Sequence, residues 1–209
     1  MPLVLRSVIR HHLAALRMLL VFTVITGIGY PLLITGIAAA AFPHQANGSL
    51  IKDNGRPVAS SLIGQDFTLP GRRGRATGPP DPKWFQPRPS AAGTTGYDPT
   101  GSAASNLGPN NPVLVKAVKE RRAAVAAFDG VRPDSVPVDA VTASGSGLDP
   151  DISRAYADEQ VNRVARARGL SAATVRGLVA DHVTGRDLGF LGQDAVNVVE
   201  LNHDLARLR

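Results

Sequence analysis

Along this chain the hydrophobic positions form one unbroken block, then a sparse region, then a periodic region. The block MLLVFTVITGIGYPLLITGIAAAAF, Met18 to Phe42, runs for 25 residues without a charged side chain. A helix rises about 1.5 Å per residue, so about 20 apolar residues cross a hydrocarbon core of roughly 30 Å. The pattern therefore predicts a single N-terminal transmembrane helix over 18–42. A buried core helix and a cleaved signal peptide compete with this reading. The apolar region of a signal is shorter, about 7–15 residues, although the alanines before Phe42 do resemble a small-residue cleavage site. Pro31 removes one backbone donor and predicts a bend. Thr23 and Gly27 are four apart, as are Gly36 and Ala40. Such spacing admits the close approach of another transmembrane helix, because packing drives association in lipid; a lone anchor is the alternative.

From Pro43 to about Pro112 the chain is rich in Gly, Pro, Ser and Asn, which predicts loops with short extended pieces. The breaker-rich stretch PGRRGRATGPPDP lies at 70–82, and Phe67, Trp84 and Phe85 are among the few apolar anchors. Order increases after Pro112. Leu114, Val118, Val125 and Phe128 recur at helical spacing, with Asn111 to cap the start and Gly130 beyond the end. Pro137 to Ala143 alternates and predicts a strand. Ser153 to Arg168 and Ser171 to Val183 predict two more helices, each opened by a serine cap and closed before a glycine. The tail LGFLGQDAVNVVELN predicts a hairpin or strand pair. The expected architecture is a tail (1–17), a membrane helix (18–42) and a mixed α+β domain (43–209). That domain has about three helices and a few short strands, loop-rich over 43–111 and more ordered over 112–209.

Charge gives the arrangement a direction. Arg6, Arg10 and Arg17 precede the block with no acid, while all 17 acidic residues follow position 50. The excess of arginine before the span predicts a cytoplasmic N-terminus and an extracytoplasmic domain in the cell (inner) membrane. The net charge of +6 invites a nucleic-acid reading, but 19 of the 23 basic residues are scattered arginines and aromatics are 5% of the chain. Without a clustered footprint or stacking residues, nucleic acid is not an expected partner. Cysteine is absent, which removes disulfides and thiolate zinc sites.

The stretch VTASGSGLDPDIS, Val141 to Ser153, is the one with the composition of a site. As a nucleophile loop it does not fit G-x-S-x-G, since Ser146 has glycine on both sides but none two positions away. His182 and His203 are the histidines of the ordered region that could serve as a base, and His182 reads as a packed residue. As a phosphate cradle the loop has no G-x-x-x-x-G-K-[ST] pattern, and no lysine follows Lys119. The five histidines lack metal-ligand spacing. The remaining reading is geometric. Gly145 and Gly147 permit positive φ, Asp149-Pro150 enforces an extended turn, and Asp151 or Ser153 caps the next helix.

Several segments in register resemble one family: Arg88-Pro89-Ser90-Ala91, SNLGPNNP at 105–112, VPVDAVTASGSGLDPDIS at 136–153, QVNRVARARGL at 160–170 and VNVVELN at 196–202. Together with the single span they resemble the C subunit of the Kdp-type potassium-transporting ATPase, over nearly the whole chain. Ala103-Ala104 stands where that family usually reads Gly-Gly, and the arginines from Arg72 to Arg75 form a longer basic stretch than expected. The resemblance implies an accessory, non-hydrolysing subunit of a high-affinity potassium uptake complex. In such a complex a channel-like subunit selects potassium, a P-type ATPase subunit hydrolyses ATP, and the C subunit joins them. The family is described as a catalytic chaperone that raises nucleotide affinity, with the loop Ser144, Gly145, Ser146, Gly147, Leu148, Asp149 and Pro150 proposed to contact ATP. The charge-derived topology conflicts with direct contact, so ATP and potassium are expected on the partner subunits, with no catalytic residue, metal or cofactor on this chain. A membrane-anchored serine hydrolase using Ser144 or Ser146, and a free-standing ligand-binding module, are the alternatives.

Overall fold

The computed structural model describes residues 2–71 and 77–208, and the chain divides into two compact units after Leu50. The first is a long helical rod. It runs through α1 (Pro2–Val24), a π-helical turn (Ile25–Gly29), α2 (Tyr30–Ala41) and the short α3 (Pro43–Ala46). The part apolar enough to cross a membrane, Leu5–Ala41, has 37 residues. Helix therefore extends well ahead of Met18, into residues expected as a tail, because Leu, Arg and Ala there favour helix and nothing interrupts them. The bend expected at Pro31 takes the form of the π turn just upstream. Pro31 has no N–H to offer one turn back, and there the bonding shifts so that Tyr30 N–H donates to Ile25 O. Thr26 Oγ1 donates to Phe22 O at 2.6 Å. Such a shift lets a helix pass a proline ring without breaking. Thr23, Gly27, Gly36 and Ala40 all lie on the exposed surface of the rod. A Cβ built on Gly36 would meet nothing within 4 Å, and one on Gly27 would meet Thr23 Cγ2 at 3.9 Å.

The second unit is mixed helix and strand. β1 (Leu50–Asp53) and β2 (Arg56–Ser60) form a two-stranded sheet across an Asn54-Gly55 turn. Both turn residues have positive φ, 48° and 79°, the backbone that Asn-Gly supplies at a tight hairpin. β3 (Thr68–Pro70) pairs antiparallel with β4 (Thr77–Pro80); the arginine stretch from Arg72 to Arg75 lies outside the described residues. The chain then carries no helix or strand until α4 (Pro112–Asp129), whose Asn111 cap accepts from Val113 N–H and whose end is Gly130 at φ 73°.

Two predicted elements take a different form. Residues 137–143 are not a strand: Val138–Ala140 is a 3₁₀ turn. The buried positions are Val136, Ala140 and Val141, so the alternation in sequence is not the pattern of burial, and backbone bonds close locally from Ala140 to Pro137 and from Val141 to Val138. The tail is strand-paired only as far as Asn197, with Val196 opposite Val183 and Leu191 bridged to Asp187. A short β7 (Ala195–Asn197) passes directly into α7 (Val198–Leu205), because the Asn197 side chain accepts from Val199 and Glu200 N–H. Asn197 and Glu200 hold the N-cap and N3 positions of a capping box, a signal present in the sequence but obscured by the valines.

Between these lie β5 (Asp151–Ser153), α5 (Arg154–Arg168) and α6 (Ala172–Asp181), with Ser153 and Ser171 capping as expected. α6 ends two residues before the predicted limit, and Val183–Thr184 leaves it as β6. The three strands form an antiparallel sheet in the order β5-β7-β6, with Val196 opposite both Ile152 and Val183. Val161, Val164, Val175, Val179, Leu201 and Leu205 close the core over it.

Phe85 is fully buried in this core although its segment belongs to no sheet. Side-chain amides supply the missing ladder. Asn202 Oδ1 accepts from Phe85 N–H and its Nδ2 donates to Phe85 O, both at 2.9 Å. Gln160 does the same for Gln86, accepting from its N–H at 2.6 Å and donating to its carbonyl at 3.1 Å. Arg163 Nη1 donates to Pro82 O and Trp84 O, its Nε pairs with Asp129 at 2.6 Å, and its guanidinium lies 4.4 Å over the Phe128 ring. We predict that Asn202→Ala lowers unfolding stability by about 3 kcal/mol, because it strands two buried backbone groups. Asn202→Asp keeps the acceptor but sets an oxygen against Phe85 O, so at neutral pH it is expected to be at least as damaging. Urea unfolding of the detergent-solubilised chain measures both.

Candidate functional site

The loop that looked most like chemistry spends its polar groups on backbone. Ser144 Oγ accepts from Gly147 N–H at 2.9 Å and Ser146 Oγ from Leu148 N–H at 3.1 Å, two local turns closed by hydroxyls. The loop's carbonyls are held from outside. Ser146 O accepts from Ala103 N–H and Ser102 Oγ, both at 3.0 Å. Gly147 O accepts from Ser90 Oγ at 2.6 Å, and Leu148 O from Gly64 N–H at 2.8 Å. Asp149 closes the loop with Oδ1 on Asp151 N–H and Oδ2 on Arg88 at 3.0 Å. Pro150 O accepts from Val198 N–H at the start of α7.

Ser90 is the centre of this arrangement. It donates to Gly147 O while accepting from Ala92 N–H and Tyr97 N–H. The Tyr97 hydroxyl donates to Arg88 O at 2.6 Å, and burial, followed by the nearby Asp149 charge, pushes its pKa up. Asp151 is also raised, by burial first and then by Asp149 and Glu200. In the sequence Arg88 and Ser90 stand out only through the family resemblance, and no local signal marks Tyr97 or Gly64. No local signal links Ser90 to Gly147, 57 positions away.

The two glycines of the loop differ. Gly147 has φ +69°, and a Cβ there would lie 2.7 Å from Ala103 O and 2.8 Å from Ala92 N. Gly145 lies outside the positive-φ set and a Cβ there would meet nothing within 4 Å, so its expected left-handed backbone is not found. The alanine at 103 fits its turn, donating through its backbone N–H. Neither serine hydroxyl bonds to a histidine among the described residues. His182 bonds Leu178 O and Asp204, and His203 bonds Asp204. Among the described residues no three His, Asp or Glu side chains converge as a metal site.

This geometry gives an order of sensitivity. Gly147→Val is expected to destabilise most, by about 3 kcal/mol or more, since it combines a β-branched residue at positive φ with a backbone clash. Ser144→Ala and Ser146→Ala each lose one turn bond, about 1 kcal/mol, and Gly145→Ala should be near neutral. Thermal unfolding of the four variants checks the ranking; a Gly145 variant as damaged as the Gly147 one would contradict it.

Comparison with known proteins is consistent across methods. The family model described as "KdpC: K+-transporting ATPase, c chain" matches residues 12–207. The chain is 52% identical over 205 residues to the potassium-transporting ATPase KdpC subunit of Streptomyces coelicolor, covering 93% of this chain and 91% of the relative. It is 52% identical over 202 residues to that of Kineococcus radiotolerans, covering 97% and 96%. It is 55% identical over 192 residues to that of Sorangium cellulosum, covering 92% and 95%. With a fold of one long apolar helix and one mixed helix-strand unit, and with the family matched over almost its full length, the chain belongs to the KdpC family of K+-transporting ATPase subunits.

Proposed function

We propose that this chain is the accessory, non-hydrolysing subunit of an ATP-driven potassium uptake complex. It holds the channel-like and P-type ATPase subunits together from a single membrane anchor. The observation that carries the reading is the loop at 141–153, whose hydroxyls close turns and whose carbonyls accept from Gly64, Ser90, Ala103, Arg121 and Val198 in other segments. That is the work of a rigid surface. A nucleophile would need a base beside Ser144 or Ser146, and among the described residues the bonds of these hydroxyls run to each other and to Gly147 and Leu148 N–H.

The anchor enters the reading through charge. Arg6, Arg10 and Arg17 lie at the start of the helical rod and the acids begin at Asp53, which favours an N-terminus inside and the second unit outside the cell membrane. Nucleotide is cytoplasmic, so any effect on nucleotide affinity passes through the ATPase subunit. Thr23, Gly27, Gly36 and Ala40 are the proposed contact positions for a partner helix, since the rod leaves them open.

Purification of the tagged chain in mild detergent should bring down a channel-like subunit and a P-type ATPase subunit in fixed ratio; recovery of the chain alone would overturn the reading. In intact cells Gly48→Cys should react with an impermeant thiol reagent, whereas labelling only after lysis would reverse the topology. Gly27→Leu and Gly36→Leu should reduce co-purification more than Leu32→Ala or Ile34→Ala, because bulk at a close contact separates helices.

A further inference from the structure

Beside the loop, within the second unit, lies a cleft of about 430 Å³, inside the range of roughly 300–1,000 Å³ typical of ligand sites. Pro87, Pro89 and Tyr97 line it from the segment around Ser90, and Val125 and Phe128 line it from α4. Its charged lining is already engaged. Arg88 is paired with Asp149, Arg121 donates to Val141 O, and Asp66 accepts from Thr68.

Two nearly buried residues of the lining each keep an open polar atom. Tyr156 is 3% exposed and Gln86 is 9% exposed. Gln86 Nε2 is fixed by the carbonyls of Phe67, Asp81 and Trp84, which leaves Oε1 as an acceptor with no donor among the described residues. The Tyr156 hydroxyl likewise makes no hydrogen bond among them. The unpartnered side-chain atoms sealed from solvent are Arg122 Nε, Glu159 Oε1 and His203 Nε2. Tyr156 Oη and Gln86 Oε1 are not sealed, and the opening these nearly buried residues line is the cleft. An unpaired donor and an unpaired acceptor in an apolar surround match a neutral group that offers both, as a peptide backbone does.

We propose that this cleft receives an extended segment of a partner subunit. One carbonyl of that segment accepts from Tyr156 Oη, one N–H donates to Gln86 Oε1, and its apolar side chains lie against the prolines and Phe128. Proline and aromatic walls suit an extended backbone, whose ordering cost on binding is small. The proposal rests on the subunit reading above and adds to it the docking site.

The test uses the whole complex in native membranes, with a benzoylphenylalanine photocrosslinker placed at Thr95, on the exposed rim of the cleft, or at Lys116, exposed elsewhere on α4. The Thr95 position should crosslink to one extramembrane segment of a partner subunit, identified by mass spectrometry, and the Lys116 position should not. Tyr156→Phe should lower the Thr95 crosslink about threefold to tenfold, the effect of one hydrogen bond. It should leave the melting temperature of the purified chain unchanged, since the hydroxyl has no internal partner to lose. Lipid adducts alone from Thr95, equal yields from both positions, or a Tyr156→Phe variant that loses stability but not crosslinking would each overturn the proposal. If partner subunits are missing from the unmodified preparation, the subunit reading fails and this inference with it. If they are present but Thr95 does not reach them, this inference fails alone.

Discussion

Everything in the second unit depends on how the backbone at Phe85 and Gln86 is satisfied. This segment runs through the core, where each unpaired N–H or carbonyl costs about 1–3 kcal/mol, yet no strand lies beside it. Asn202 from α7 and Gln160 from α5 each bond one residue's N–H and carbonyl together, so two amide side chains act as a two-residue strand. Arg163 completes the set on Pro82 and Trp84, and its buried charge is balanced by Asp129 on α4. A single extended segment thus fixes α4, α5 and α7 relative to one another within the unit, by directional bonds that apolar packing alone cannot provide.

That constraint passes along the chain. Once Gln86 is fixed, Arg88 and Ser90 follow two and four residues later, and these hold Asp149 and Gly147. Gly147 can approach Ala92 and Ala103 closely because it has no side chain. Asp149 and Pro150 then lead into β5, and Pro150 O takes the first N–H of α7, the helix that carries Asn202. The sequence of contacts closes on itself: the helix that clamps Phe85 is positioned by the loop that Phe85's own segment positions. Such circularity makes the loop a folding unit with its surroundings. It also explains why polar residues stand on otherwise apolar helix faces at 160 and 202.

The readable parts of the sequence were those decided by local chemistry. Asn111, Ser153 and Ser171 open helices, Gly130 and Gly169 close two of them, and each signal acts within a few residues. The uncharged block declared its helix, though not its length, since helix propensity continues through the arginines before it. What failed were valine-rich stretches read by alternation. Around 138 no neighbouring strand was available, so the chain closed into a 3₁₀ turn, and after 197 a single asparagine cap outweighed the β preference of two valines. The Asn54-Gly55 hairpin was visible as a dipeptide and overlooked inside a loop-rich region. The Gln160 and Asn202 clamps were not visible locally, because their partners lie 74 and 117 positions away.

The same bookkeeping bears on nucleotide. A phosphate cradle needs several backbone N–H groups turned outward together, or a cation placed among them. In this loop the N–H groups of Gly147 and Leu148 are taken by Ser144 and Ser146, and no lysine follows Lys119. Of the two arginines that reach the loop, Arg88 is held by Asp149 and Arg121 donates to Val141 O. To receive a triphosphate on Gly147 and Leu148 N–H and on Arg88, the loop would have to release its own turns and the Arg88–Asp149 pair, losing the contacts that keep Ser90 and Gly147 together. Coupling to a nucleotide on another subunit has no such cost, because it requires only that the loop and the cleft beside it keep their shape while the partner changes its own. In the proposed reading a serine- and glycine-rich sequence serves an ATP-driven machine without touching nucleotide, its hydroxyls acting as internal acceptors for Gly147 and Leu148 N–H.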